Sequence, residues 1–158
     1  MKKWVIFAAA LVICIGGVTA AAYIHALGPK KEAADIAFKE AKDAAGIVTM
    51  DDFYVYNGKD SYNVVVGETK KGTKKVIWLP NKKGSQPVIE NYDTGISKSE
   101  ITRIANKQLK PAKIISLKLG MEQDVPLWEV TYLDKSNRYN YDYYDFKSGE
   151  WLKYYRSI

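Results

Sequence analysis

The stretch NYDYYDFKSG (Asn140–Gly149) reads like a second writing of KVIWLPNKKG (Lys75–Gly84). With a gap of one residue, Trp78 falls on Tyr144. Both are runs of good β-formers that close on a lysine-containing turn with glycine. A strand sends alternate side chains to opposite faces. On that pattern Tyr139, Tyr141, Tyr143 and Asp145 share one face, and Asn140, Asp142, Tyr144 and Phe146 share the other. Tyr144 and Phe146 match Trp78 and Pro80, so their face is assigned to the core and the other three tyrosines to the open side.

The repetition extends outward to both halves of the chain. KKEAADIAFKEAKDAAG (Lys30–Gly46) has helical spacing, with Ala33, Ile36, Ala37, Ala41 and Ala44 on one stripe and Gly46 as the stop. FYVY, SYNVVVG, KKVIWL and PVIE then read as strands, and Asn57-Gly58 marks a hairpin. The pattern restarts at Ser97–Glu100, a capping-box sequence. Ile101, Ile104, Ala105 and Gln108 or Leu109 form the inner face of that helix, and Pro111 ends it. AKIISLKLG, PLWEVTYL, RYNYDYYDF and EWLKYY follow as strands. The two copies superpose at an offset of about 66 residues, with Tyr62 on Trp128 and Val64 on Val130. The fold class expected is α+β: two tandem modules, residues 29–92 and 93–158, each a helix packed on a small antiparallel sheet. A module of some 60 residues is near the lower limit for a lone core, so the two are expected to pack together.

Ahead of them, Trp4–Leu27 carries no Asp, Glu, Lys or Arg. As a helix these residues span about 36 Å at ~1.5 Å per residue, enough for a hydrocarbon layer of about 30 Å. Residues 1–28 are therefore read as an N-terminal transmembrane anchor. The rival is a cleaved signal peptide with Ala20-Ala21-Ala22 at the cut. Lipoprotein processing does not fit, because Cys14 is in mid-run behind Ile13. Lys2 and Lys3 before the span nearly balance Lys30 and Lys31 after it. A short head stays inside readily, and a body without cysteine suits an oxidising exterior. The expected location is the cell membrane, single-pass, with the C-terminal body on the extracytoplasmic side.

YYDFKSGEWLKYY (143–155) resembles the closing hairpin of the PepSY and cystatin-like families. With an anchor and two such modules, the chain as a whole resembles the YpmB family, also called TseB, the cell wall elongation regulators. The resemblance implies a non-enzymatic, membrane-tethered extracytoplasmic protein that binds a class B penicillin-binding protein, a transpeptidase of peptidoglycan synthesis. It carries over no catalytic residue and no cofactor.

The residues themselves offer little chemistry. The body after Leu27 has no Cys, and the single histidine is His25 in the anchor. That removes Cys/His and Ser/His/Asp catalysis and the usual zinc sites. Lys147-Ser148-Gly149 imitates a penicillin-binding motif, but no Ser-x-x-Lys accompanies it, and a hairpin turn explains it better. Asp142, Asp145 and Glu150 lack the arrangement of a glycosidase pair, because residues three apart in a strand point to opposite faces. No EF-hand spacing occurs, so no metal is expected.

Two surfaces remain. Tyr139, Tyr141 and Tyr143, with Trp151 and Tyr155, are candidate partner-binding residues, since tyrosine and tryptophan anchor interfaces; the plainer reading is ordinary cross-strand packing. Lys70, Lys71, Lys74, Lys75, Lys82 and Lys83 are candidates for contact with anionic lipid or wall polymer, against the plainer reading of solvated hairpin tips. Net charge is +6, and Lys2 and Lys3 supply two of the 24 basic residues from the head. The mild remainder lies on no nucleic-acid module, so no nucleic acid is expected. A protease-inhibitor-like module is the third alternative.

Overall fold

The computed structural model describes residues 28–156. Residues 28–45 form helix α1, and Gly46 follows at φ +67°, donating its N–H to the Lys42 carbonyl at 2.9 Å. Four strands come next, β1 (Asp52–Asn57), β2 (Ser61–Glu68), β3 (Lys74–Pro80) and β4 (Val88–Asn91), paired in chain order in one antiparallel sheet. A 3-10 turn, Tyr92–Thr94, leads to helix α2 (Lys98–Leu109). A second antiparallel sheet then runs β5 (Lys113–Glu122), β6 (Val125–Leu133), β7 (Tyr139–Asp145) and β8 (Trp151–Arg156), again in chain order. Among the described residues no helix is long and apolar enough to cross a membrane; the expected anchor lies outside them.

Local signals produce these elements. The Ser97 hydroxyl accepts from the Glu100 N–H at 3.2 Å, and the Glu100 carboxylate accepts from the Ser97 N–H at 2.8 Å. The expected capping box is therefore complete. α2 ends at Leu109, one residue before the left-handed Lys110 and two before Pro111. Ile101 and Ala105 are its buried residues. On α1 the buried positions are Ala37, Ala41 and Ala45, with Phe38 half-buried, while Ile36 and Ala44 are exposed. The stripe expected from spacing is thus rotated by part of a turn. Alanines at many positions mark no face by themselves, and the sheet beneath selects which of them it covers.

The first sheet is buried on both sides. Val65, Ile77 and Leu79 meet Ala37, Ala41, Ala45 and Ile47 on one face. Tyr54, Tyr56, Val64, Val66, Val76 and Trp78 enter, on the other, a core shared with the second sheet and α2. Trp78 meets Phe146 edge-on with centroids 5.5 Å apart, and Tyr54 meets Trp128 at 6.5 Å. The Trp78 indole N–H donates to the Gly120 carbonyl at 2.9 Å, tying β3 to β5. The expectation that the two units pack together holds.

The repeat alignment needs one adjustment. Val64 pairs with Trp78, and Trp128 pairs with Tyr144. With Trp78 matched to Tyr144, the counterpart of Val64 is therefore Trp128 rather than Val130. The slip is two residues, so every face assignment survives it.

Tyr144 and Phe146 are fully buried, as their alignment with Trp78 and Pro80 requires. The Tyr144 hydroxyl has no hydrogen-bond partner among the described residues. A buried unpartnered hydroxyl costs free energy. Tyr144→Phe is therefore expected to stabilise the protein by about 1 kcal/mol. Urea unfolding measures this, and a loss of stability would mean that the hydroxyl has a partner after all.

Candidate functional site

β7 carries the tyrosines outward as the alternation requires, but the four strands around it sort the candidates differently. β7 pairs with β8 as Tyr141↔Tyr155, Asp142↔Tyr154 and Tyr143↔Lys153, and the register then shifts so that Tyr144 pairs with Trp151. Leu152 is the extra residue of this bulge. Paired residues share a face, so Lys153 and Tyr155 join Tyr141 and Tyr143 on the outer face. Trp151 goes to the other side, where its indole N–H donates to the buried Asp142 carboxylate at 2.8 Å. Trp151 therefore does not lie in the tyrosine row. Its ring stacks on Tyr154, and Arg156 holds the same carboxylate, with a second contact of 3.1 Å.

Tyr143 also changes role. It is 7 % exposed, and its hydroxyl donates to Glu129 at 3.1 Å. Burial and the Glu129 carboxylate push this phenol far above its usual range. It forms the floor of a trough. Tyr155 stands at its side, edge-on at 5.8 Å, and the Lys153 ammonium lies over both rings at 4.7 and 5.2 Å. Tyr155 itself is 56 % exposed and Tyr141 half-buried; Tyr139 is half-exposed at the far end of the strand.

The opposite wall comes from the first sheet. Val55, Tyr56 and Asn57 of β1 face Tyr141, Tyr143 and Tyr155 across a trough of about 360 Å³, with Lys118 and Glu129 along its length. Tyr56 occupies this position because Gly120 lets it. A Cβ on Gly120 would lie 2.3 Å from the Tyr56 ring. The ring covers the glycine, and its hydroxyl donates to Glu122 at 2.7 Å. Gly120→Ala is expected to displace Tyr56 and cost about 1–3 kcal/mol, read by urea unfolding. Unchanged stability would show that the ring is free to move.

Glu122 also binds Lys153. Burial pushes the Glu122 carboxyl up, but the bonds from Lys153 and Tyr56 outweigh it and hold it below its ordinary value. Asp134 is likewise held down, first by the backbone N–H of Arg138. The unfolded chain therefore takes up these protons first. The stability they supply is complete above the ordinary carboxyl range near pH 4 and is lost as pH falls through the folded values. Thermal unfolding followed from neutral pH to about pH 3 is expected to show this, with a shallower acid slope in Glu122→Gln. An identical slope would place the effect elsewhere.

The lysine run does not form one patch. Successive turns of an antiparallel meander lie at opposite ends of the sheet. Lys70 and Lys71 are exposed at the β2–β3 turn, and Lys82 and Lys83 are exposed at the β3–β4 turn on the other end. Lys74 is paired with Asp51 at 2.7 Å, and Lys75 donates to the Ala45 carbonyl at the end of α1 at 3.2 Å. Among the described residues no group of three or more His, Cys, Asp or Glu side chains is placed to hold a metal.

Of the residues that line the trough, Tyr141, Tyr143 and Tyr155 are among the candidates the sequence offers, and Val55, Tyr56, Asn57, Lys118 and Glu129 are not. The isolated Gly120 inside a strand was the available signal, because such a glycine marks close approach of another group.

Residues 37–80 match the model of the cell wall elongation regulator TseB-like domain, and residues 95–155 match the peptidase propeptide and YPEB domain, PepSY. The Bacillus subtilis (strain 168) protein named "Probable cell wall elongation regulator TseB" is 35% identical over 136 residues, covering 86% of this chain and 84% of that protein. The chain belongs to the TseB family. The solved structure of the YpmB protein from Bacillus subtilis superposes with a TM-score of 0.70 at 34% identity, over 78% of this chain and 96% of that one. The TseB-like match lies on α1 and β1–β3, and the PepSY match spans α2 and β5–β8.

Proposed function

We propose that this protein is a non-enzymatic regulator of cell wall elongation that acts by direct contact with a class B penicillin-binding protein. The N-terminal segment anchors it in the cell membrane, and the body stands on the extracytoplasmic side. Membership of the TseB family supports the regulatory role. The 24-residue uncharged run Trp4–Leu27 supports the anchor. The observation that carries the contact reading is the tyrosine trough. Tyr141 and Tyr155 offer large rigid rings at low entropic cost, and Lys118 and Lys153 add donors beside them.

The mechanism needs no chemistry. Anchoring holds the body within nanometres of the bilayer and raises its effective concentration toward another membrane protein. The trough then supplies a specific contact. In-cell crosslinking of the full-length chain, followed by identification of the captured proteins, tests the reading. Capture of a class B transpeptidase is expected. Repeated capture without any wall-synthesis protein would end it.

A further inference from the structure

A second cleft, of about 640 Å³, opens where three hairpin turns meet. The β1–β2 turn contributes Lys59 and Asp60, the β3–β4 turn Lys82, Ser85 and Gln86, and the β5–β6 turn Asp124. Its size suits a small ligand, for which clefts of about 300–1,000 Å³ are usual. None of its residues lines the tyrosine trough.

The lining has a particular chemistry. Two lysines and two aspartates cancel in charge, and among the described residues none of the four takes part in an ion pair. A polyanion would meet Asp60 and Asp124, and a polycation would meet Lys59 and Lys82. Ser61, Ser85, Asn81 and Gln86 add groups that both donate and accept. The Asn81 carbonyl already accepts from Asn63 at 3.2 Å, which orients its amide N–H groups as donors. Pro80 and Val88 give the cleft an apolar surface, and Tyr62, 7 % exposed, lines it as part of the core. Burial, with the carboxylates of Asp60 and Asp124, pushes the Tyr62 phenol up, in keeping with acids on both sides of it.

The β5–β6 turn adds a separate observation. Gln123 and Asp124 both have positive φ, 48° and 63°. Such two-residue turns favour Asn-Gly, and Asp at the second place gives up the ease of glycine. Asp124, the second of these two positive-φ residues, lines the cleft.

We infer that this three-turn cleft binds a neutral oligosaccharide, with Asp60, Asp124, Lys59 and Lys82 hydrogen-bonding its hydroxyls and the apolar surface taking a sugar face. A ligand that donates and accepts along its whole edge, carries no net charge and has an apolar face matches every part of the lining. The inference goes beyond the transpeptidase reading and does not depend on it.

The test is calorimetric titration of the full-length chain with tri-N-acetylglucosamine, with maltotriose, and with a polyglycerol phosphate as the anionic control. Saturable binding of at least one trisaccharide is expected. Asp124→Gly is the informative variant, because glycine suits a φ of 63° and so retains or raises thermal stability. It is expected to weaken binding about tenfold or more, as is Asn81→Ala. Absence of saturable trisaccharide binding, binding of the anionic polymer alone, or full binding by Asp124→Gly would each overturn the inference.

Discussion

Exchanging Tyr141 and Tyr155 together for alanine is expected to lower capture of the proposed transpeptidase partner at least tenfold, with a smaller loss of stability than Tyr143→Ala causes. Interface tyrosines at the centre of a contact commonly contribute 2 kcal/mol or more, and ~1.4 kcal/mol is already a factor of ten. Tyr155 is 56 % exposed and Tyr141, half-buried, packs against the core without being part of its buried cluster, so their truncation removes less of it than loss of Tyr143. Tyr143 makes the instructive contrast. Its ring is buried and its hydroxyl bonded to Glu129, so Tyr143→Ala damages the sheet itself and its effect on binding is not separable from folding. Quantitative crosslinking beside thermal unfolding distinguishes the two. Undiminished capture by the Tyr141/Tyr155 double variant would return these rings to plain sheet packing.

The second large effect belongs to Trp78. The residue is fully buried, contacts Phe146 across the shared core and donates its indole N–H to the Gly120 carbonyl. Trp78→Ala is expected to cost about 3–5 kcal/mol, through the cavity and the freed carbonyl together. Trp78→Phe keeps much of the volume and is expected to cost less. Because the contact joins the two sheets, the loss should appear in one cooperative transition, followed by circular dichroism in urea. A second, separate transition would show that the sheets unfold independently.

Much of the fold was legible because its signals are local. Ser97 and Glu100 lie three residues apart and cap α2 whatever surrounds them. The β-runs and their turns fix the strands, and alternation fixes the inward face of Asn140, Asp142, Tyr144 and Phe146, all of which are buried. What stayed hidden depends on non-local placement. The bulge at Leu152 changes the parity of β8, so Trp151 and Tyr155 separate although a simple count keeps them together. The meander sends Lys70 and Lys82 to opposite ends of the sheet, although only twelve positions separate them. The β1 wall of the trough arises from the approach of Tyr56 to Gly120, 64 positions away in the chain, and only the packing of one sheet against the other brings them together.

The body is proposed to meet a wall-synthesis transpeptidase through the tyrosine trough. The most direct measurement places a photo-crosslinking amino acid at position 155 of the full-length chain in living cells, and in a parallel strain at position 70 on the β2–β3 turn. Position 155 is expected to capture a class B penicillin-binding protein and position 70 is not. Capture from position 70 alone, or from neither position while the protein is present at normal level, would contradict it.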